Sequence, residues 1–235
     1  MNTSASRLRT SLLRSALMSV SSTLVGVLVV VGVLSLFSIW SVNRAWERGI
    51  AEMEGLREAA RLGTQAQVEF KIQVQEWKNI LLRGAEPEEL SHYRAAFHGR
   101  RERVDGVLTQ LSGETAALAL PGHAREIGAL QRDFKALGAV YDRALADVLG
   151  ARDNLPLAEA GQIDRRVRGI DRALEQRLDA LSDTLSDLAA TQRTALSVEM
   201  RSRYDTLRTT LLAVLTAALL IVGLALFGAL RKLRD

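Results

Sequence analysis

Arg57, Thr64, Lys71 and Lys78 recur every seven residues. A seven-residue step returns to the same edge of a helix, so the four form a stripe with three positive charges. Such a stripe has two readings. Its cations either lie along the helix flank and meet rim carboxylates, or face a second subunit and receive a small anion. Arg100 has the same two readings: a guanidinium near a core needs a partner, which is Glu69 or Glu175 nearby, or a ligand's carboxylate or phosphate, which its planar fork suits. Covalent chemistry has little to work with. There is no cysteine, and the three histidines include His92 and His98 at a spacing that misses one helix face. No HExxH, GxSxG or phosphate-cradling glycine loop occurs. The carboxylates are spread beside arginines as on exposed helix faces. The expectation is a protein that is not an enzyme and holds no metal or cofactor.

The elements that must position these groups start with two apolar stretches. No charged residue occurs from Ser15 to Asn43 or from Thr209 to Leu230. A hydrocarbon core of ~30 Å needs about 20 apolar residues in a helix, and both stretches suffice. A cleaved leader is the alternative for the first, but its apolar run is too long and no small-x-small site precedes Trp40-Ser41. The predicted organisation is a cytoplasmic tail at 1–14, transmembrane helices at 15–40 and 209–230, a second cytoplasmic tail at 231–235, and an outside domain at 41–208. The chain's net charge of +4 suggests nucleic acid until its location is considered. The segment 41–208 holds 25 basic and 26 acidic residues, so the excess lies in the tails, at Arg7, Arg9, Arg14, Arg231, Lys232 and Arg234. That places both termini in the cytoplasm by the positive-inside rule, and the domain between them in the periplasm. The lipid bilayer is then the partner, and nucleic acid is not.

Pro87, Pro121 and Pro156 divide the outside domain. Proline costs ~3 kcal/mol within a helix, so the three mark boundaries between helices at 41–84, 87–112, 122–151 and 156–208. The hydrophobic seams step by three and four: Met53, Leu56, Ala60, Gly63, Gln67, Phe70, Val74, Trp77 and Leu81 on the first helix, with similar series on the others. Short connections make the fold all-α, an antiparallel up-down-up-down four-helix bundle flanked by two transmembrane helices. Counting back from the turns puts Trp77 opposite Tyr93, Val74 opposite Phe97, and Phe70 opposite Arg100, with Leu137 and Leu174 in that last layer. The fourth helix runs unbroken by proline into the second span, with Ile170 on its seam.

The run Phe70-Lys71-Ile72-Gln73-Val74-Gln75-Glu76-Trp77-Lys78-Asn79-Ile80-Leu81-Leu82-Arg83-Gly84, followed by Tyr93 and Phe97, resembles a stretch of the sensor regions of bacterial methyl-accepting chemotaxis proteins. The tail–span–domain–span–tail layout is similar to theirs as well. The resemblance implies a sensor that detects a small extracytoplasmic ligand and transmits it by helix displacement across the inner membrane. It also implies a homodimer, or a heterodimer with full-length receptors, with ligand held near the subunit interface. Family members continue past the second span into a HAMP relay and a methyl-accepting coiled coil; this sequence reaches Asp235, so the expectation is a sensor module without its own output domain. The alternatives are a non-sensing membrane-anchored scaffold or interaction protein, and the sensor half of a truncated or split receptor, cyclase or histidine kinase. Stripe, core arginine and motif together nominate Arg57, Lys71, Trp77, Lys78 and Arg100 as ligand-binding residues, for a small anionic ligand.

Overall fold

The computed structural model describes the backbone of residues 2–150 and 152–234, and side chains at 18, 20–150, 152–228 and 230–231. The side chains of Arg7, Arg9, Arg14, Lys232 and Arg234, invoked for topology, lie outside the described residues. Five helices account for almost all of the described chain: α1 (Asn2–Arg83), α2 (Pro87–Ala117), α3 (Pro121–Leu149), α4 (Leu157–Val167) and α5 (Arg172–Arg234). No strand occurs among the described residues. The chain divides into two compact units, one of Met1–Gly49 with Ala195–Asp235, the other of Ile50–Thr194.

In the first unit, α1 and α5 each contain a stretch long and apolar enough to cross a membrane, with none of either stretch buried. Large side chains such as Leu28, Phe37, Leu219, Leu224 and Phe227 are 62% exposed or more. Apolar exposure on this scale is costly in water and costs nothing against hydrocarbon. Where the two helices meet, Leu196 fills the space beside Gly49, whose missing side chain lets its methyl approach.

The second unit is held by two hydrophobic clusters. One is mainly aliphatic and draws on α1, α2, α3 and α5, with Leu62, Leu108, Ile127, Leu130 and Leu185 all at or below 1% exposure. The other is aromatic, built on Trp77, Phe97 and Tyr141, and draws on α1, α2, α3 and α4 together with Leu155 from the connector. Two of the helix starts follow the prolines. Pro87 and Pro121 occupy the first turns of α2 and α3, where a missing N–H is no loss. Glu88 and Glu89 add negative charge at the α2 N-terminus. At the α1–α2 turn, the Gly84 carbonyl accepts a hydrogen bond from Leu155 N at 2.6 Å. A Cβ on Gly84 would sit 2.5 Å from the Ile80 carbonyl oxygen, so only glycine fits.

Four expectations are corrected. The second helix runs to Ala117, past Ser112-Gly113, and stops where Ala119 takes φ +54° and Leu120 N bonds back to the Thr115 carbonyl at 2.9 Å. Next, the helix expected over 156–208 is interrupted at Arg168–Asp171. Gly169 there has φ +77°, the left-handed conformation that ends helices, and glycine alone adopts it freely. Ile170, placed on the seam, sits in that turn and is 36% exposed. Finally, the layers shift outward: the Trp77 ring pairs with Phe97 (centroids 5.7 Å) and Tyr141 (4.4 Å), while Tyr93 packs at the edge of the same cluster, only partly buried. Helical side chains lean toward their own N-terminus. Trp77 therefore leans away from the α1–α2 turn while α2 residues lean toward it, and the partner comes from one turn further along α2. Tyr93 instead accepts a hydrogen bond from Arg83 at 2.8 Å. Phe70 meets Phe134 edge-on at 6.1 Å, and Arg100 is drawn to the rim beside Glu69.

Candidate functional site

The interruption between α4 and α5 opens a cleft of about 440 Å³ in the second unit. One wall is α1, which contributes Lys71, Val74, Trp77, Lys78 and Leu81. The opposite wall is the end of α4, the turn and the first turn of α5, through Asp164, Arg168, Asp171, Arg172 and Glu175. Tyr141 of α3 lines the cleft as well. Three of the nominated residues, Lys71, Trp77 and Lys78, thus meet in one place.

Their environments differ. Trp77 and Tyr141 are 4% and 2% exposed, so they form a rigid aromatic floor. Burial pushes the Tyr141 phenol well above its ordinary value, and the neighbouring Asp171 carboxylate adds to the shift. The hydroxyl stays neutral at physiological pH. On the rim, Lys71 bridges to Asp179 at 3.1 Å and to Glu175 at 4.0 Å, and Arg168 pairs with Asp164 one turn back. Lys78 and Arg172 make no ion pair among the described residues, and they stand on opposite walls. Arg172 lies against Gly169, its Nε 3.5 Å from where a Cβ would be. Four cations and three carboxylates line the cleft, leaving one positive charge over. Asp179, just outside the lining, offsets Lys71, so the donors left without a carboxylate are those of Lys78 and Arg172.

Arg57 and Arg100 do not line this cleft. Arg57 lies along a separate groove with Met53, Ala189, Ala190 and Arg193. Arg100 donates to Glu69 at 2.7 Å, with side chains 29% and 15% exposed. The basic stripe faces α5 within the same chain: Thr64 is 3.1 Å from Ser182, and Gln67, beside the stripe, donates to Asp179 at 2.6 Å. Among the described residues no group of three or more histidine, aspartate or glutamate side chains is placed to hold a metal.

Tyr141, Arg168, Asp171, Arg172 and Glu175 were not nominated from the sequence. The available signal was Arg168-Gly169-Ile170-Asp171-Arg172, a glycine just after an apolar-periodic segment with basic residues in its last turn. That is a helix stop without proline.

No protein-family model matches the chain, and no solved structure matches it. The methyl-accepting chemotaxis protein CtpH of Pseudomonas aeruginosa is 32% identical over 175 residues, which are 74% of this chain and 28% of that protein. The chain therefore spans well under half of that relative's length. The similarity relates this chain to the methyl-accepting chemotaxis proteins.

Proposed function

We propose that this chain is the sensor portion of a membrane chemoreceptor, and that the cleft beside the α4–α5 break takes a small anion. In this reading 15–40 and 209–230 cross the inner membrane and both ends lie in the cytoplasm. Residues 41–208 form an antiparallel four-helix bundle in the periplasm, paired with a second copy or with a longer receptor. The kinship to a chemotaxis protein and the two lipid-compatible stretches support the reading. What carries it is the pair of unneutralised cations, Lys78 and Arg172, across one cleft above an aromatic floor.

An anion bridging Lys78 of α1 and Arg172 of α5 draws the first turn of α5 toward α1. Because α5 is a single helix from Arg172 to Arg234, displacement of its first turn is passed along its length. The anion shifts the equilibrium only by its differential affinity for the two positions. The test is a thermal-shift screen of the full chain in lipid nanodiscs against organic acids, amino acids and inorganic anions. A rise of several degrees with one class, abolished by Lys78→Ala and by Arg172→Ala, is the expected result. A membrane scaffold without a sensing role gives no shift with any of them.

A further inference from the structure

Two of the three tryptophans and one of the three tyrosines stand where the charge-free stretches end. Trp40, Trp46 and Tyr204 are at least 47% exposed, whereas Trp77 and Tyr141 are buried. Exposed indole and phenol rings at the ends of lipid-compatible helices suit the headgroup level of a bilayer, where one end of the ring is apolar and the other wet. The same level is rich in arginine. Residues 43–49 and 195–208 hold Arg44, Arg48, Arg201, Arg203 and Arg208 against three carboxylates, whereas 50–194 hold 20 basic and 23 acidic residues. On the flank opposite the tails this excess runs against the positive-inside rule, so it calls for a local anion. Of the five arginines only Arg203 makes an ion pair among the described residues, with Glu199 at 2.6 Å. Its Nε and one terminal nitrogen share a single oxygen of that exposed carboxylate, which leaves the other terminal nitrogen over. Arg44 lies over the Trp40 ring, 5.3 Å from its centroid.

Between α1 and α5 at this level is a pocket of about 270 Å³, lined by Phe37, Ser38 and Ser41 of α1 and by Ser202, Arg203 and Leu207 of α5. Gly49 meets Leu196 further out, so the two helices run in opposite directions past the pocket. Phe37 is therefore at its lipid end and Arg203 at its water end. Arg44 and Arg48 stand seven residues beyond Phe37 and Ser41, on the same edge of α1 and above the pocket. We propose that this pocket holds the headgroup of an anionic phospholipid. The phosphodiester takes hydrogen bonds from the Arg203 guanidinium and the serine hydroxyls, and the acyl chains pass down beside Phe37 and Leu207. Arg44 and Arg48 add the field that selects an anionic headgroup, because a zwitterionic one brings its own cation against them. The inference rests on 15–40 and 209–230 crossing a bilayer and not on the cleft at the α4–α5 break.

The test reconstitutes the full chain in bilayers whose lipids are brominated on their acyl chains. Bromine quenches tryptophan only near contact, so Trp40 and Trp46 report the lipid at this level, and the buried Trp77 supplies a constant background. Quenching by brominated phosphatidylglycerol against brominated phosphatidylcholine gives a relative binding constant. The expected preference for phosphatidylglycerol is about tenfold, and Arg203→Gln lowers it about fivefold. Arg44→Gln with Arg48→Gln lowers it by a smaller factor. The three arginines are exposed, so these variants keep the fold. The preference persists in salt that screens diffuse charge, since the phosphate is bonded in a pocket. A ratio near one, a ratio unmoved by Arg203→Gln, or one abolished by salt overturns the proposal. So does its loss on adding inorganic phosphate at matched ionic strength, which assigns the site to a free anion. No quenching by either lipid overturns the spans as well, whereas quenching by both without preference overturns the lipid site alone.

Discussion

The two hydrophobic clusters of the Ile50–Thr194 unit are built by different rules. The aliphatic one takes Leu174, Leu178, Leu181 and Leu185 from α5 and nothing from α4. The aromatic one takes Ala160, Ile163 and Val167 from α4 and nothing from α5. One segment of sequence, read as a single helix, thus serves two cores, and the turn at Arg168–Asp171 separates its parts. The lesson is mechanical. A short helix seated in an aromatic pocket and a long helix seated on leucines can respond separately, and the cleft lies where they part.

The strongest way to break this division is to empty each cluster in turn. Phe134→Ala, in the aliphatic cluster, should cost roughly 3–5 kcal/mol in denaturant unfolding and weaken α1, α2, α3 and α5, the helices that build that cluster. Ile163→Ala in α4 should cost about 2–5 kcal/mol. Hydrogen exchange should then rise in 157–167 while 174–185 stays protected; loss of protection in both would mean the clusters are one cooperative core.

A smaller effect is expected at the turn that closes the aromatic end. Gly84→Ala forces a Cβ against the Ile80 carbonyl oxygen and Leu155. It should lower stability by about 1–3 kcal/mol, seen as a lower melting temperature. Alkaline titration sharpens the comparison further. Tyr141's folded pKa is raised, so the phenol's contribution is fully present below the ordinary tyrosine value of about 10 and is lost as pH rises beyond it. Tyr141→Phe should flatten that part of the stability profile. The smallest effect belongs to the rim. A double-mutant cycle on Lys71 and Asp179, both more than a third exposed, should give no more than ~1 kcal/mol, decreasing with added salt.

How much was legible depends on which force set each feature. The two apolar stretches, the helical character and the helix starts at Pro87 and Pro121 follow from composition and from proline's missing N–H, so the sequence alone carries them. The stop at Gly169 was legible in principle and was passed over, because no proline marked it. The clustering of Lys71, Trp77 and Lys78 was half legible: their spacing puts Lys71 and Lys78 on one edge, but the facing wall from Arg168 to Glu175 exists only once that turn folds back.

The flank of α1 was misplaced: the expected seam ran through Gln67, Val74 and Leu81, whereas Ala66, Gln73 and Ile80 are buried and, of the expected row, only Leu81 is. A three–four alternation through Phe70 and Trp77 fits either row, since each carries one glutamine among apolar neighbours. The sequence by itself determined that α1 is helical, which residues form its central row, and where its long apolar stretch lies. Only tertiary packing decided which flank is buried, which aromatic meets Trp77, and that Asp179 and Glu69 claim Gln67 and Arg100. Those outcomes depend on shape and partner atoms supplied by other helices, and no local pattern on α1 encodes them.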